Sequence, residues 1–225
     1  CSISNNSISI VTNAAASGTL RGISVGNAVT GTFNTNTIDG MSFTAAVSTG
    51  SIDGIISTGT GQSNTFNGNI IRNLSIPAAG TINGIRENGS STGTKTIQNN
   101  QIYNFSTTTG GAGGATFNGI LANLGTTYNI SGNEIYALIS TGVTGGTAGV
   151  LAGIQTTGST TVANVFTVSK NKIYNISSNS TGPVVYGMLF AGPTSLPSQP
   201  QTITASNNFI ADLKTPFANV ADAIR

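Results

Sequence analysis

The chain has 225 residues, with eight Lys and Arg against six Asp and Glu, a single Cys, no His and no Trp. Only 6% of its residues are charged, against about 25% in an ordinary soluble domain, so hydroxyls and amides carry its contact with water. These counts exclude a disulfide framework and a cysteine zinc site. The scattered basic residues leave no footprint for nucleic acid, and no apolar run is long enough for a membrane-spanning helix.

A Gly-, Ser- and Thr-rich chain could be disordered, but here the apolar residues recur with regularity. In chain order, an Asn stands at Asn6, Asn36, Asn69, Asn100, Asn133, Asn171 and Asn208. Two residues after each comes Ile8, Ile38, Ile71, Ile102, Ile135, Ile173 or Ile210. The spacings are 30, 33, 31, 33, 38 and 37 residues. Five residues after each Asn sits Val11, Met41, Leu74, Phe105, Leu138, Ile176 or Leu213, and three before it Ile3, Phe33, Phe66, Ile97, Ile130, Val168 or Ala205. A second marker keeps the same beat. Gly-Ile recurs at Gly22, Gly54, Gly84, Gly119 and Gly153, and relaxes to Gly187-Met188 and Ala223-Ile224.

Apolar and polar residues alternate around the motif, as in T-V-A-N-V-F-T-V-S-K-N-K-I-Y-N-I, which is the period of a half-buried strand. No window keeps helical spacing, and Gly, Asn, Ser and Thr interrupt at short intervals. Helical repeats of similar length are thereby excluded. The reading is an all-β parallel β-helix, or β-solenoid, of seven coils with about three short strands each, occupying residues 1–225 as one segment. Parallel crossovers prefer a right-handed path. Equivalent strands would stack about 4.8 Å apart, aligning the Ile column inside one wall. The variable length, as in Ser106–Thr116 and Ile139–Thr147, is assigned to corner loops.

The Asn column has two readings. In the structural one, stacked amides bond along the axis and Asn supplies the left-handed backbone of a tight corner. In the functional one, the amides bind a ligand. The structural reading is preferred, because every coil carries the Asn in phase with a core Ile. Sequons at Asn73, Asn104 and Asn175 follow from composition and carry little weight. The threonines of T-T-G-S-T-T, residues 156–161, stand at irregular offsets from the motif, so no flat threonine array is expected.

The phrases I-S-G-N-E-I-Y and V-S-K-N-K-I-Y-N-I-S resemble right-handed parallel β-helix repeats. The whole chain is similar to the Thr/Asn/Gly-rich β-helix regions of large secreted proteins of Bacteroidota, many of them exported by the type IX system. The resemblance implies an extracellular, cell-surface location on a Gram-negative bacterium. The implied partners are neighbouring coils or domains of a longer chain, with secretion or surface machinery and polysaccharide as further candidates. It implies no cofactor and no membrane insertion. Pectin-degrading enzymes, phage tailspikes and adhesins share the fold, so fold alone does not choose among them.

Glycoside hydrolysis needs two carboxylates facing one groove. The acids are Asp39, Asp53, Glu87, Glu134, Asp212 and Asp222. By position in the repeat, Asp39 stacks against Arg72, Asp53 against Arg21, and Glu134 against Lys172. These read as surface ion pairs between coils. No two acids share a column in adjacent coils, so the segment is expected not to be an enzyme. Tyr103, Tyr136 and Tyr174 share one outward column. The strip reads as a stabilising stack, with sugar binding as its alternative. Cys1 falls on a wall position equivalent to Tyr128, Phe166 and Ile203. The 225 residues are expected to be a window from a longer array, associating end to end when alone.

Overall fold

The computed structural model describes residues 1–14, 17–26, 30–44, 49–59, 63–77, 79–89, 93–108, 114–141, 149–158, 162–179, 183–192, 199–215 and 220–225. Their strands form three seven-stranded sheets, and each strand pairs with its equivalents in the adjacent coils. All pairings are parallel, as between the strands Gln101–Thr107 and Glu134–Ser140. The chain is a parallel β-solenoid. The fourth coil shows the plan: Thr94–Gln98 lies in the first sheet, Gln101–Thr107 in the second and Thr116–Asn123 in the third.

The corner between the first and second sheets is turned by the residue before the column Asn. Asn5, Thr35, Asn99, Lys170 and Asn207 have φ between 52° and 60°, and Gly68 and Gly132 have 66°. The left-handed backbone expected at the column Asn therefore belongs one residue earlier. The column residue instead turns its side chain inward, where Asn36, Asn69, Asn100 and Asn171 are fully buried.

A second left-handed position explains an oddity of the repeat. The core residues two and five places after each Asn are three apart, which strict alternation would place on opposite faces. Between them, Asn73, Asn104, Ala137, Asn175 and Asp212 take φ between 54° and 61°, and Gly40 takes 74°. That kink returns Phe105 and Leu138 to the interior beside Ile102 and Ile135, all fully buried.

The Gly-Ile marker has a related cause. A Cβ on Gly119 would lie 2.6 Å from the carbonyl oxygen of Gly153 and 2.6 Å from Cγ2 of Ile135. At Gly84 the same atom would lie 2.6 Å from the Gly119 oxygen and 2.7 Å from Cγ2 of Ile102. Each glycine of the third sheet thus receives the column Ile of the next coil against bare backbone. The two markers share a period because they are two halves of one contact. Aromatic rings fill the rest of the tube, with Phe33 on Phe66 at 4.6 Å and Tyr128 on Phe166 at 5.2 Å.

The first variable stretch narrows at both ends, since one strand runs to Thr107 and the next begins at Thr116. Ile139 likewise belongs to a strand. Residues 109–113 and 142–148 of these stretches lie outside the described residues.

One interior corner is polar. Glu87 and Lys95 are fully buried. The Glu87 carboxylate accepts from Asn64 Nδ2 at 3.1 Å and from the backbone N–H of Gly89 at 3.2 Å, and Lys95 Nζ donates to the Gly93 carbonyl at 2.9 Å. Burial pushes the Glu87 pKa up from 4.5 to about 7, against the opposing pull of Asn64 and Lys95. Burial lowers that of Lys95, partly offset by Glu87. The folded chain thus holds the Glu87 proton more tightly than the unfolded chain. This stabilisation is complete below pH 4.5 and is lost as the pH rises through about 7. The difference is worth about 3 kcal/mol. Melting temperature is expected to fall across this window, and Glu87→Gln to flatten the slope. A pH-independent melt, or an unchanged slope in the variant, would contradict the assignment.

Candidate functional site

Column Asn, tyrosine strip and threonine strands place polar groups in files along the axis, and each file has a different capacity to bind. The Asn file is closed. Asn100 Nδ2 donates to the Phe66 carbonyl at 3.0 Å and to Asn133 Oδ1 at 2.9 Å. Its Oδ1 accepts from Asn69 Nδ2 and from the Asn69 backbone N–H, both at 2.9 Å. The same pattern links Asn36, Asn69, Asn133, Asn171 and Asn208. Both amide hydrogens and both oxygen lone pairs of Asn100 are occupied, which leaves nothing for a ligand.

On the outer face of the second sheet, Arg72, Tyr103, Tyr136, Tyr174 and Ala211 share one register column. The tyrosines are half-buried, and their rings stack at 4.7 and 5.0 Å with interplanar angles of 4° and 3°. Arg72 Nη1 donates to the Tyr103 hydroxyl at 3.0 Å, and the Tyr174 hydroxyl donates to Glu134 at 3.1 Å. Burial raises the pKa of Tyr136 and Tyr174, reinforced at Tyr174 by that bond. Sugar stacking needs a free aromatic face, and the two stacks cover both faces of Tyr136 and one face each of Tyr103 and Tyr174. Tyr136→Ala removes two stacks, each worth about 0.5–1.5 kcal/mol. It is expected to lower the melting temperature and leave polysaccharide retention in a pull-down unchanged. Lost retention at unchanged stability would favour the sugar-binding alternative.

Of the three ion pairs read from the repeat, Asp39–Arg72 forms at 2.8 Å. The Asn73 amide, and after it Arg72, hold the Asp39 carboxyl below its ordinary range. Asp53 pairs with Arg21 at 3.8 Å, but also with Arg86 at 3.6 Å, and it is buried rather than on the surface. Glu134 stands in register with Lys172, yet its carboxylate takes the Tyr174 hydroxyl bond.

The threonines correct another expectation. On the outer face of the first sheet, Thr32, Thr65, Thr96, Asn129, Thr167 and Thr204 form one column. Strand threonines, not those of residues 156–161, keep a constant offset. β-Branched side chains favour strands, which accounts for the column without a ligand. Residues 159–161 lie outside the described residues.

The third sheet carries a file that repeat reasoning missed. Asp53, Asn83 and Asn118 follow one another in register, each the residue before its coil's glycine. Asn83 Nδ2 donates to Asp53 at 2.8 Å, and Asn118 Nδ2 to Asn83 Oδ1 at 2.9 Å. All three are at least 97% buried although their strand position faces outward. Asn83 and Asn118, with Arg86, Leu121 and Gln155 beside them, line a surface groove of about 420 Å3. The signal that could have found them is the run of polar residues, Asp53, Asn83 and Asn118, before three successive Gly-Ile pairs.

No family model, curated protein or solved structure matches the chain. Its fold defines it as a β-solenoid structural module.

Proposed function

We propose that the chain is a stalk or adhesive segment of a large secreted protein on the surface of a Gram-negative bacterium, of the kind that Bacteroidota export by the type IX route. The observation that carries the proposal is the uninterrupted axial bonding, in which three parallel sheets and the Asn file tie every coil to the next. Such a rod resists bending and gives proteases few extended segments to cut. The surface location rests on the resemblance of the repeats and on a surface wetted by hydroxyls and amides. In this reading the segment works by mechanical spacing and contact rather than by catalysis. Limited proteolysis of the folded chain should cut between strands and spare the three sheets. Incubation with plant and microbial polysaccharides should release no new reducing ends or unsaturated products. Robust cleavage by the segment itself would overturn the reading.

A further inference from the structure

We propose that Lys95 and Asn64 join through an intramolecular isopeptide bond, formed with Glu87 as proton shuttle and with release of ammonia. The proposal concerns the core and does not rest on the mechanical role. Asn64 and Lys95 are register partners on adjacent parallel strands, so their side chains leave one face of the first sheet side by side. Their column otherwise holds Gly31, Tyr128 and Phe166. Glu87 reaches the same corner from the third sheet, where its register partners are Ser57 and Ala122. Asn64 is buried, and Glu87 and Lys95 are completely so. Burying an ammonium and a carboxylate is costly, and the sequence places both beside one amide in a tube that is elsewhere mostly apolar.

The reaction needs a neutral amine, a primary amide and a group that carries a proton between them. The Lys95–Glu87 pair holds the same protons as ammonium with carboxylate or as amine with carboxylic acid, and a dry interior favours the uncharged form. Burial accordingly lowers the Lys95 pKa and raises that of Glu87, and their mutual attraction opposes both shifts without reversing them. Tyr128, next in the column, keeps its proton because burial pushes its pKa up.

Glu87 already touches the amide. Asn64 Nδ2 donates to Glu87 Oε2 at 3.1 Å and to Ser57 Oγ at 3.0 Å, while Asn64 Oδ1 is buried without a hydrogen-bond partner. The amide torsion is soft. A half-turn brings Oδ1 to protonated Glu87, whose O–H then polarises the carbonyl. Lys95 Nζ, which donates to the Gly93 carbonyl at 2.9 Å, turns on its flexible stem to attack Cγ. The Nζ–Cγ bond forms as the carbonyl π pair moves to Oδ1. Glu87 gives its proton to Nδ2 and takes one from Nζ. The Cγ–Nδ2 bond then breaks, its electron pair leaves with ammonia, and the carbonyl re-forms. Glu87 ends as it began, and the step consumes no oxidant or reductant. The bond would tie the third coil to the fourth.

Intact-mass spectrometry of the folded 225-residue chain is the test. The chain is expected to weigh one ammonia less than its sequence, and the loss should accumulate during refolding from denaturant at neutral pH. Trypsin should then leave a branched peptide that joins the segments around Asn64 and Lys95, with no cut after Lys95. Lys95→Arg keeps a cation but offers no nucleophilic amine, and should retain the full mass. Glu87→Gln keeps the shape but cannot shuttle the proton, and should slow the loss at least tenfold. Circular dichroism shows which variants have folded. Full sequence mass in the folded parent chain would overturn the proposal whatever the variants do. So would an ammonia loss that maps to a succinimide at Asn67-Gly68 or Asn88-Gly89, or one that persists in Lys95→Arg. Loss at the parent rate in folded Glu87→Gln would overturn the shuttle. The mechanical reading stands on proteolysis and cleavage, and none of these outcomes bears on it.

Discussion

Ile102→Asp is expected to abolish the fold. Ile102 is fully buried in the fourth coil, stacked between Ile71 and Ile135 and pressed against the bare backbone of Gly84. The substitution removes a core aliphatic side chain, a loss of about 2–5 kcal/mol for Ile→Ala. It also buries a carboxyl with no partner, which costs roughly 2–7 kcal/mol even when protonated. The sum matches the whole stability of a typical domain, about 5–15 kcal/mol. Far-ultraviolet circular dichroism should show loss of strand signal at 25 °C, or the chain should aggregate. A melting temperature near that of the parent chain would mean that the column faces solvent.

Asn100→Leu tests the amide file at the same coil. Leucine matches Asn in branching and in number of heavy atoms but returns none of its bonds. The Asn69 backbone N–H and one Asn69 amide hydrogen lose their acceptor, while the Phe66 carbonyl and Asn133 Oδ1 each lose a donor. Every one of these groups lies where water cannot replace the partner. At about 1–3 kcal/mol for each stranded donor, the loss is several kcal/mol, and the melting temperature should drop by about 10 °C or more. Asn6→Leu is the control. Asn6 is exposed and its amide donates to Ser4 and Asn36; water can serve Ser4, and Asn36 Oδ1 keeps its bond from the Asn6 backbone N–H, so the cost should stay under about 1 kcal/mol. Equal losses for the two variants would show that the amides act only through local turn geometry.

The repeat was legible because the axis of a solenoid forces each coil to solve the same packing problem with the same residue. Asn at the corner and Ile two places on are therefore visible as columns, and so are three strands per coil. The glycine before the second Ile was visible as a marker but not as a contact, because its partner is the column Ile of the following coil, in another sheet. Polar residues inside were missed for a different reason. The column that holds Lys95 also holds Asn64, Tyr128 and Phe166, so no single residue type announces which way it faces. Alternation points Asp53 outward as a surface acid, whereas in the fold it is fully buried, bonded to Asn83 and paired with Arg21 and Arg86. The tyrosine column was readable in register, but only the stacking distances show that both faces of Tyr136 are covered.

The amide file also has a sense. In every step the donor belongs to the earlier coil and the acceptor to the later one, from Asn6 to Asn36 through to Asn171 and Asn208. The side-chain dipoles are therefore aligned head to tail in a dry interior, where successive bonds polarise one another. The tube is an electrical vector as well as a mechanical rod. The two ends of the file are chemically unlike, one offering an amide oxygen and the other an amide N–H. A coil docked in reverse would set donor against donor, so the column enforces direction as well as register.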